Sequence, residues 1–380
     1  MPILIHTADV HLGAPLGWLG PRATEQRQRL RRTLAAIVDL TLSERADCLV
    51  VAGDLFDSNS PPASDVRFAI QEFARLAAGG GAQVILLPGS HDHLGRASIY
   101  SSYSREFAQI PGVRVLGLDG LPSVDIERLG LSVRGNPASS NRSSGHQLAG
   151  LAPDARFAHN VAVLHGSVSV VPIAVDDHPI DVSELEAPGW SYFALGHWHS
   201  WREIDGGSAP AVYPGAPEVI AIDQAGSGNV ARVDLGDGGA SVERVRVGTR
   251  NVVPLQTDLT DAPDADVVAE EIRAKVPPDR DAILRLTLTG LLAVDSAFDV
   301  DALTEALASD YFHVALAERA YHVRLGDEEL EDLPERLVIG RFARLMKARI
   351  AEAATDAERQ DIEDALQLGA ALLQGKDVLG

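Results

Sequence analysis

Five short polar clusters pair carboxylates with imidazoles at close spacing: Asp9-Val10-His11, Gly53-Asp54-Leu55-Phe56-Asp57, Gly89-Ser90-His91-Asp92, His165-Gly166 and Gly196-His197-Trp198-His199. They offer oxygen and nitrogen donors and no thiolate, a set suited to Mn, Fe or Zn in a working site rather than to a structural zinc knot. In an extended segment residues i and i+2 point the same way. Asp9 with His11, and His197 with His199, are therefore expected to reach one metal centre together. A carboxylate has two oxygens and can bridge two cations, and Asp54, on the turn after a central strand, is the best candidate bridge. Two cations roughly 3.5 to 4 Å apart can hold a hydroxide nucleophile and neutralise charge on a phosphoryl group. The expected chemistry is metal-dependent hydrolysis of a phosphate ester.

Each cluster directly follows an apolar run: Pro2 to His6, Cys48 to Ala52, Gln83 to Leu87, Val161 to Leu164 and Tyr192 to Leu195. Between these strands lie amphipathic stretches, one with Leu30, Leu34, Ile37 and Val38 on a face and one with Val66, Ile70, Phe73 and Ala77. Strand and helix in alternation indicate an α/β sheet, and in a parallel sheet the clusters converge at the carboxyl ends of the strands, where such folds bind ligands. Ser64 is expected to cap the second helix and Gly79-Gly80-Gly81 to end it. Gly135 to Gly145, rich in Ser, Asn and Gly, is expected to be a mobile surface loop.

The chain has 380 residues, enough for two or three domains, and 46% hydrophobic residues, with no apolar run near the roughly 20 that a membrane helix needs. The N-terminus lacks the basic and small-residue pattern of a signal peptide, so a cytoplasmic location with no membrane partner is expected. The single cysteine, Cys48, excludes an internal disulfide and reads as a core residue of its strand. Residues 1–250 are expected to form the catalytic domain. Residues 251–330 alternate strand and helix as a small α/β domain, and 331–380 form a helical tail. In that tail Val338, Phe342, Leu345 and Met346 make one stripe, and Thr355-Asp356-Ala357-Glu358 is a capping-box pattern opening a helix with Ile362, Leu366, Leu372 and Leu373.

The strings His6-Thr7-Ala8-Asp9-Val10-His11-Leu12-Gly13 and Ala52-Gly53-Asp54-Leu55-Phe56-Asp57, with the other clusters, resemble the calcineurin-like metallophosphoesterases. Within that class they look like the SbcD-type nuclease subunits of bacterial repair complexes and related exonucleases. The resemblance implies a sandwich of two β-sheets flanked by helices, with a smaller α/β capping domain and a C-terminal helical pair. It implies one metal on Asp9, His11, Asp54 and His199 and another on Asp54, His165, His197 and the motif-three residue, Ser90 here. His91 would be the acid or phosphate-contacting histidine, oriented by Asp92. The implied ions are two divalent cations, Mn first and Fe or Zn after it. The implied partners are DNA and an SMC-like ATPase subunit, and a homodimer is compatible with it. The family's third motif carries asparagine where this chain has Ser90, a shorter and weaker ligand, so the second site is expected to be looser or completed by water.

Other residues admit blander readings. His6 faces away from Asp9 in strand alternation and reads as a packed histidine, and His93 as a surface or supporting residue. His146, His159, His178, His313 and His322 lie outside the clusters and read as ordinary. Asp57, Arg22 and Tyr213 are candidate substrate contacts. Arg22 opens the one dense basic stretch, with Arg27, Arg29, Arg31 and Arg32, and Tyr213 heads a Tyr-Pro-Gly turn. The net charge of −21 is unusual for a protein that grips a polyanion alone, so any DNA contact must be local or shared. Three functions stay open: a DNA exonuclease or endonuclease working with an ATPase, a small-molecule phosphodiesterase or phosphomonoesterase, and a weakly catalytic DNA-end-binding subunit.

Overall fold

The computed structural model describes residues 1–169, 177–260, 262–292, 296, 298–323 and 325–375. It separates into two compact units, Met1–Asn251 and Val252–Gly380.

The first unit holds two six-stranded sheets. In one, Ile3–Thr7, Cys48–Ala52, Gln83–Leu87 and Val113–Val115 run parallel in that order. Asn229–Gly236 adds antiparallel to Ile3–Thr7 and turns back into Gly239–Arg246. The other sheet places Ser123–Ile126, Leu131–Arg134, His159–His165, Tyr192–Gly196, Ala211–Tyr213 and Arg202–Ile204 side by side, with a parallel centre and antiparallel edges. Alternate residues of the two sheets, among them Leu4, Val50, Ile85, Val161, Ala194 and Val233, meet in one core. The opposite face of the second sheet buries Ala162, Leu164, Phe193 and Leu195 under Trp190 and Leu185. Strands covered on both faces need apolar residues at every position, which is why these runs read as continuous rather than alternating. The clusters thus belong to two sheets: three follow strands of the first and two follow strands of the second.

Helix Ala23–Ser43 turns Leu30, Leu34, Ile37 and Val38 inward, and helix Ala63–Gly80 does so with Val66, Ala69, Phe73 and Leu76. Ser64 does not cap the second helix. Pro62 occupies the cap position, and the Ser64 hydroxyl instead accepts from Arg31 at 2.9 Å. The Gly135 to Gly145 segment is pinned rather than loose. Leu94 N–H donates to the Ala138 carbonyl at 2.8 Å, Ala138 N–H to that of Pro88 at 3.0 Å, and Ser143 pairs with Asp177.

The second unit builds a three-stranded sheet from Asn251–Asp258, Asp279–Leu292 and Tyr311–Val323, the last two parallel, with helices Ala265–Lys275 and Val300–Leu307 packed on it. Arg324, expected to end the third strand, lies outside the described residues. Helices Val338–Glu352 and Asp356–Leu373 bury Ala343, Met346 and Leu366 between them. Thr355 caps the second by accepting from Glu358 N–H at 3.1 Å, while Glu358 reaches back to Ala354 N–H rather than to Thr355. Val338 and Leu345, expected on the packed stripe, are exposed, as are Leu372 and Leu373. No helix among the described residues is long and apolar enough to cross a membrane.

Candidate metal centre

The loops after the first two strands zip together along their backbones. Asp9 N–H donates to the Gly53 carbonyl at 3.1 Å, His11 N–H to that of Asp54 at 3.0 Å, and Leu12 N–H to that of Leu55 at 3.0 Å. Asp9, His11 and Asp54 all have left-handed backbone, with φ of 54°, 50° and 51°. Gly53 makes the tight approach possible: its φ is +91°, and a Cβ there would lie 2.0 Å from His165 Nδ1. The shared reach of Asp9 and His11 therefore comes from left-handed kinks held by a neighbouring loop, not from an extended segment.

Asp54 sits at the middle. Its Oδ1 accepts from His91 N–H at 2.8 Å, while Oδ2 lies 3.2 Å from His165 Nε2, 3.8 Å from His11 Nε2 and 3.3 Å from Ser90 Oγ. Donor atoms of Asp9, His11 and His199 lie within 4.8 Å of one another, and so do those of Asp9, Asp54 and His165. His11 donates from Nδ1 to Asp57 Oδ1 at 3.0 Å, and its buried Nε2 has no hydrogen-bond partner. His165 donates from Nδ1 to the Ala52 carbonyl at 2.9 Å, which leaves Nε2 for the centre. The Gln224 amide packs on His199 Nδ1, and His199 Nε2 lies 3.8 Å from Asp9 Oδ1. An ion binding each donor at about 2.0 to 2.2 Å spans such gaps, so the donor set fits divalent metal ions, with Asp9 common to both groups and Asp54 Oδ2 also 3.8 Å from His11 of the first.

The electrostatics agree. Burial by itself disfavours a charged His165, but the adjoining Asp54 carboxylate pulls its pKa up to about 10. Burial would raise Asp54, yet His165 and His11 hold it well below the usual carboxylate range. Burial lifts Asp9 to about 7, despite the opposing pull of His165. Asp54 and His165 each shift the other towards its charged form, so the pocket favours positive charge beside Asp54, where a bound cation would supply it. His199 and His197 are pushed down, His197 to about 4, first by burial and then by neighbouring imidazoles, which keeps both neutral and fit to ligate.

Several expected roles change. His197 and His199 do not act as a same-facing pair, because His197 has φ of 101° and the segment is not extended. His199 joins Asp9 and His11, whereas His197 stacks edge-on against His165, donates from Nε2 to Asp177 Oδ1 at 3.1 Å and belongs to neither donor group. Asp92 does not orient His91. Its buried carboxylate accepts from Gly89 N–H at 2.7 Å, Phe56 N–H at 3.1 Å and Tyr100 O–H at 2.6 Å, tying two loops together. His91 is oriented by the Asp57 carbonyl, to which its Nδ1 donates at 2.9 Å. The Asp57 carboxylate, expected on the substrate side, is occupied with His11. Tyr213 is wholly buried, donating to the Gly166 carbonyl at 2.7 Å and accepting from Val168 N–H at 2.9 Å, so it is scaffold rather than substrate contact.

Arg22 lies half-buried at the start of helix Ala23–Ser43 and does not line the cleft beside the centre. In the same basic stretch Arg31 pairs with Asp65 at 2.6 Å and Arg27 donates to the Pro15 carbonyl at 2.9 Å. Ser90 is buried, its Oγ 3.4 Å from His165 Nε2. His93 lines the cleft and belongs to none of the donor groups. His6 is fully buried on Tyr192 at 2.9 Å, a packed histidine. His178, read as ordinary, is buried beside the centre, its carbonyl accepting from Ser167 N–H at 3.2 Å. The side chain of His322 lies outside the described residues. Asp177 and Gln224, which hold two of the candidate ligands, sit in irregular segments and carry no sequence signal of their role.

Residues 2–201, which hold all five clusters, match the family model for calcineurin-like phosphoesterases. The chain is 27% identical over 280 residues to the DNA double-strand break repair protein Mre11 of Aeropyrum pernix, covering 69% of this chain and 64% of that protein. It is 26% identical over 331 residues to the SbcD component of the nuclease SbcCD of Rhodobacter capsulatus, covering 72% and 78%. It is 25% identical over 272 residues to the uncharacterized metallophosphoesterase YhaO of Bacillus subtilis, covering 68% and 63%. The chain thus spans just under two thirds of the length of some of these relatives. With a family match over more than half its length and a donor set that converges on Asp54, the chain belongs to the calcineurin-like phosphoesterase family.

Proposed function

We propose that the chain is a two-metal phosphodiesterase that cleaves DNA, with Mn as the preferred ion. The observation that carries this is that Asp54 Oδ2 lies 3.2 Å from His165 Nε2 and 3.8 Å from His11 Nε2, so it would reach donors of both groups. In this reading Asp9, His11, Asp54 and His199 hold one ion, and Asp54, His165, His197 and Ser90 the other. Bound there, two divalent ions would supply charge neutralisation at the phosphoryl group and an activated water. His91, anchored through Nδ1, presents Nε2 on the cleft to contact a phosphate oxygen or protonate a leaving group. Asp57 and Asp177 hold the ligand imidazoles in register. The DNA substrate is supported by relatives whose names carry DNA double-strand break repair and nuclease functions. An SMC-like ATPase partner, which would supply much of the grip, suits a net charge of −21. A capping role for residues 251–330, a helical tail at 331–380, and a homodimer belong to the same reading.

A second reading, a small-molecule phosphodiesterase, draws on the cleft of about 630 Å³, which also suits a compact ester. The deciding experiment is a nuclease assay on defined DNA ends across Mn, Mg and Zn, with metal content measured on the same sample. Metal-dependent DNA degradation is expected. Hydrolysis of bis-p-nitrophenyl phosphate with no degradation of single- or double-stranded DNA would replace it with the second reading.

A further inference from the structure

Among the chain's Phe, Tyr and Trp residues only Trp198 is exposed, at 39%. It stands between His197 and His199 in sequence and lines a cavity of about 290 Å³ together with both of them, Asp177 and Gln224. The indole is held there by a chain of hydrogen bonds. Its Nε1–H donates to Ser167 Oγ at 3.3 Å, the Ser167 hydroxyl donates to Asp177 at 2.6 Å, and the same carboxylate accepts from His197 Nε2 at 3.1 Å. Arg202 places its guanidinium over the ring, 5.6 Å from the centroid. A flat aromatic surface is thereby fixed in register with a candidate ligand of the centre and shares a cavity with another.

A lone exposed apolar side chain is ordinary on a protein surface. Trp198 differs in its placement, tethered beside the centre by bonds that end on His197. An indole supplies no acceptor atom to a metal, and its single N–H is already engaged with Ser167, so it has no donor to spare for a phosphate oxygen. What it offers is a π surface. Every nucleobase has a matching face, so stacking on a tryptophan holds a strand without regard to its sequence. The Arg202 charge over the same ring suits the anionic backbone that such a base brings with it. We propose that Trp198 stacks against the base of a nucleotide flanking the phosphate that reacts, and so makes this site prefer a strand carrying bases to a phosphate ester without them. The inference rests on the phosphodiesterase reading above and names a residue that selects its substrate class.

The test uses the full chain in an Asp54→Asn background and compares, by fluorescence anisotropy, a labelled oligothymidylate with an abasic oligonucleotide of the same length and charge. The parent should bind the oligothymidylate more tightly. Trp198→Ala should weaken that binding roughly tenfold and leave abasic binding within about twofold, so the preference collapses. Trp198→Phe keeps a ring and should keep most of the preference, which separates lost stacking from a damaged fold. Equal weakening on both oligonucleotides in the alanine variant would overturn the proposal, as would a parent with no preference for bases. With Asp54 intact, Trp198→Ala should raise KM for the oligothymidylate roughly tenfold at unchanged metal content. A loss confined to bis-p-nitrophenyl phosphate would overturn the proposal and assign the indole to the aryl group of a small ester. A wild-type protein that cuts DNA with no dependence on Trp198 would sink the stacking role and leave the nuclease reading standing. One that prefers bases through Trp198 yet never cuts DNA would sink the nuclease reading and leave the stacking site.

Discussion

Asp57 offers the sharpest separation between holding the metal centre and touching substrate. Its carboxylate accepts from His11 Nδ1 at 3.0 Å, and its backbone carbonyl accepts from His91 Nδ1 at 2.9 Å. Asp57→Ala removes the first contact and keeps the second. Partners that orient a ligating histidine are worth about 10- to 100-fold in metal affinity. The Asp57 side chain is 27% exposed, and solvent screening places the effect near the lower end, about tenfold or roughly 1.4 kcal/mol. Asp57→Asn keeps an acceptor without the charge and should fall between wild type and alanine. The assay is a Mn titration of the chelated protein by calorimetry, paired with kcat and KM on bis-p-nitrophenyl phosphate at saturating metal. The expected result is a weaker metal isotherm with kcat within a few-fold of wild type, because His91 keeps its anchor. An unchanged isotherm with a raised KM would refute the reasoning and return Asp57 to the substrate.

Replacing Ser90 by asparagine puts a longer amide oxygen between Asp54 and His165, where Ser90 Oγ now stands 3.3 and 3.4 Å away. The second metal should bind more tightly, and an identical two-site titration would show that this position is irrelevant. Gly53→Ala combines φ of +91° with a Cβ 2.0 Å from His165 Nδ1, so a loss of at least about 3 kcal/mol is expected. Thermal unfolding within two degrees of wild type, with full metal content, would contradict that. Burial holds His6 at about 3, against its ordinary 6.5, so the unfolded chain binds the extra proton and stability falls as pH drops from 6.5 towards 3. Between pH 7 and 5 the loss through His6 should be about 2 kcal/mol, and denaturation of His6→Gln should lack that component; equal pH slopes for both proteins would count against it.

What the sequence made legible was the set of elements and the order of the clusters. Apolar runs such as Cys48–Ala52 announce strands buried on both faces, and a polar residue directly after such a run is carried to the sheet's carboxyl edge whichever sheet it belongs to. The partition of roles was less legible because it depends on backbone dihedrals and on residues distant in sequence. Period-two reasoning joined His197 to His199, and a single φ of 101° separates them. Asp92 follows His91 in sequence, yet the nearer acceptor for that ring is a main-chain carbonyl 34 residues away. The composition of Gly135 to Gly145 suggested mobility, whereas its carbonyls and amides are taken up by Leu94, Pro88 and His178. In the tail, periodicity placed Val338 and Leu345 on a buried stripe, but the helices pack through Ala343 and Met346, with Phe342 against Gly369, and leave both exposed.

The left-handed backbone at Asp9, His11, Asp54 and His197 shows where this fold concentrates its strain. Each such residue costs on the order of 1 to 3 kcal/mol, and the cost persists only where surrounding structure over-determines it. Here that support is visible. The Asp9, His11 and Leu12 amides are fixed by the Gly53, Asp54 and Leu55 carbonyls, and His197 N–H donates to both oxygens of Asp9 at 3.0 Å. The last contact crosses between the two sheets, so the carboxylate common to both donor groups also fixes the loop carrying His197 and His199. Asp9→Asn would keep much of the side chain's shape while weakening that acceptor. Its effect should therefore extend to His197 and the second ion, a coupling that a centre built from two independent half-sites would not show.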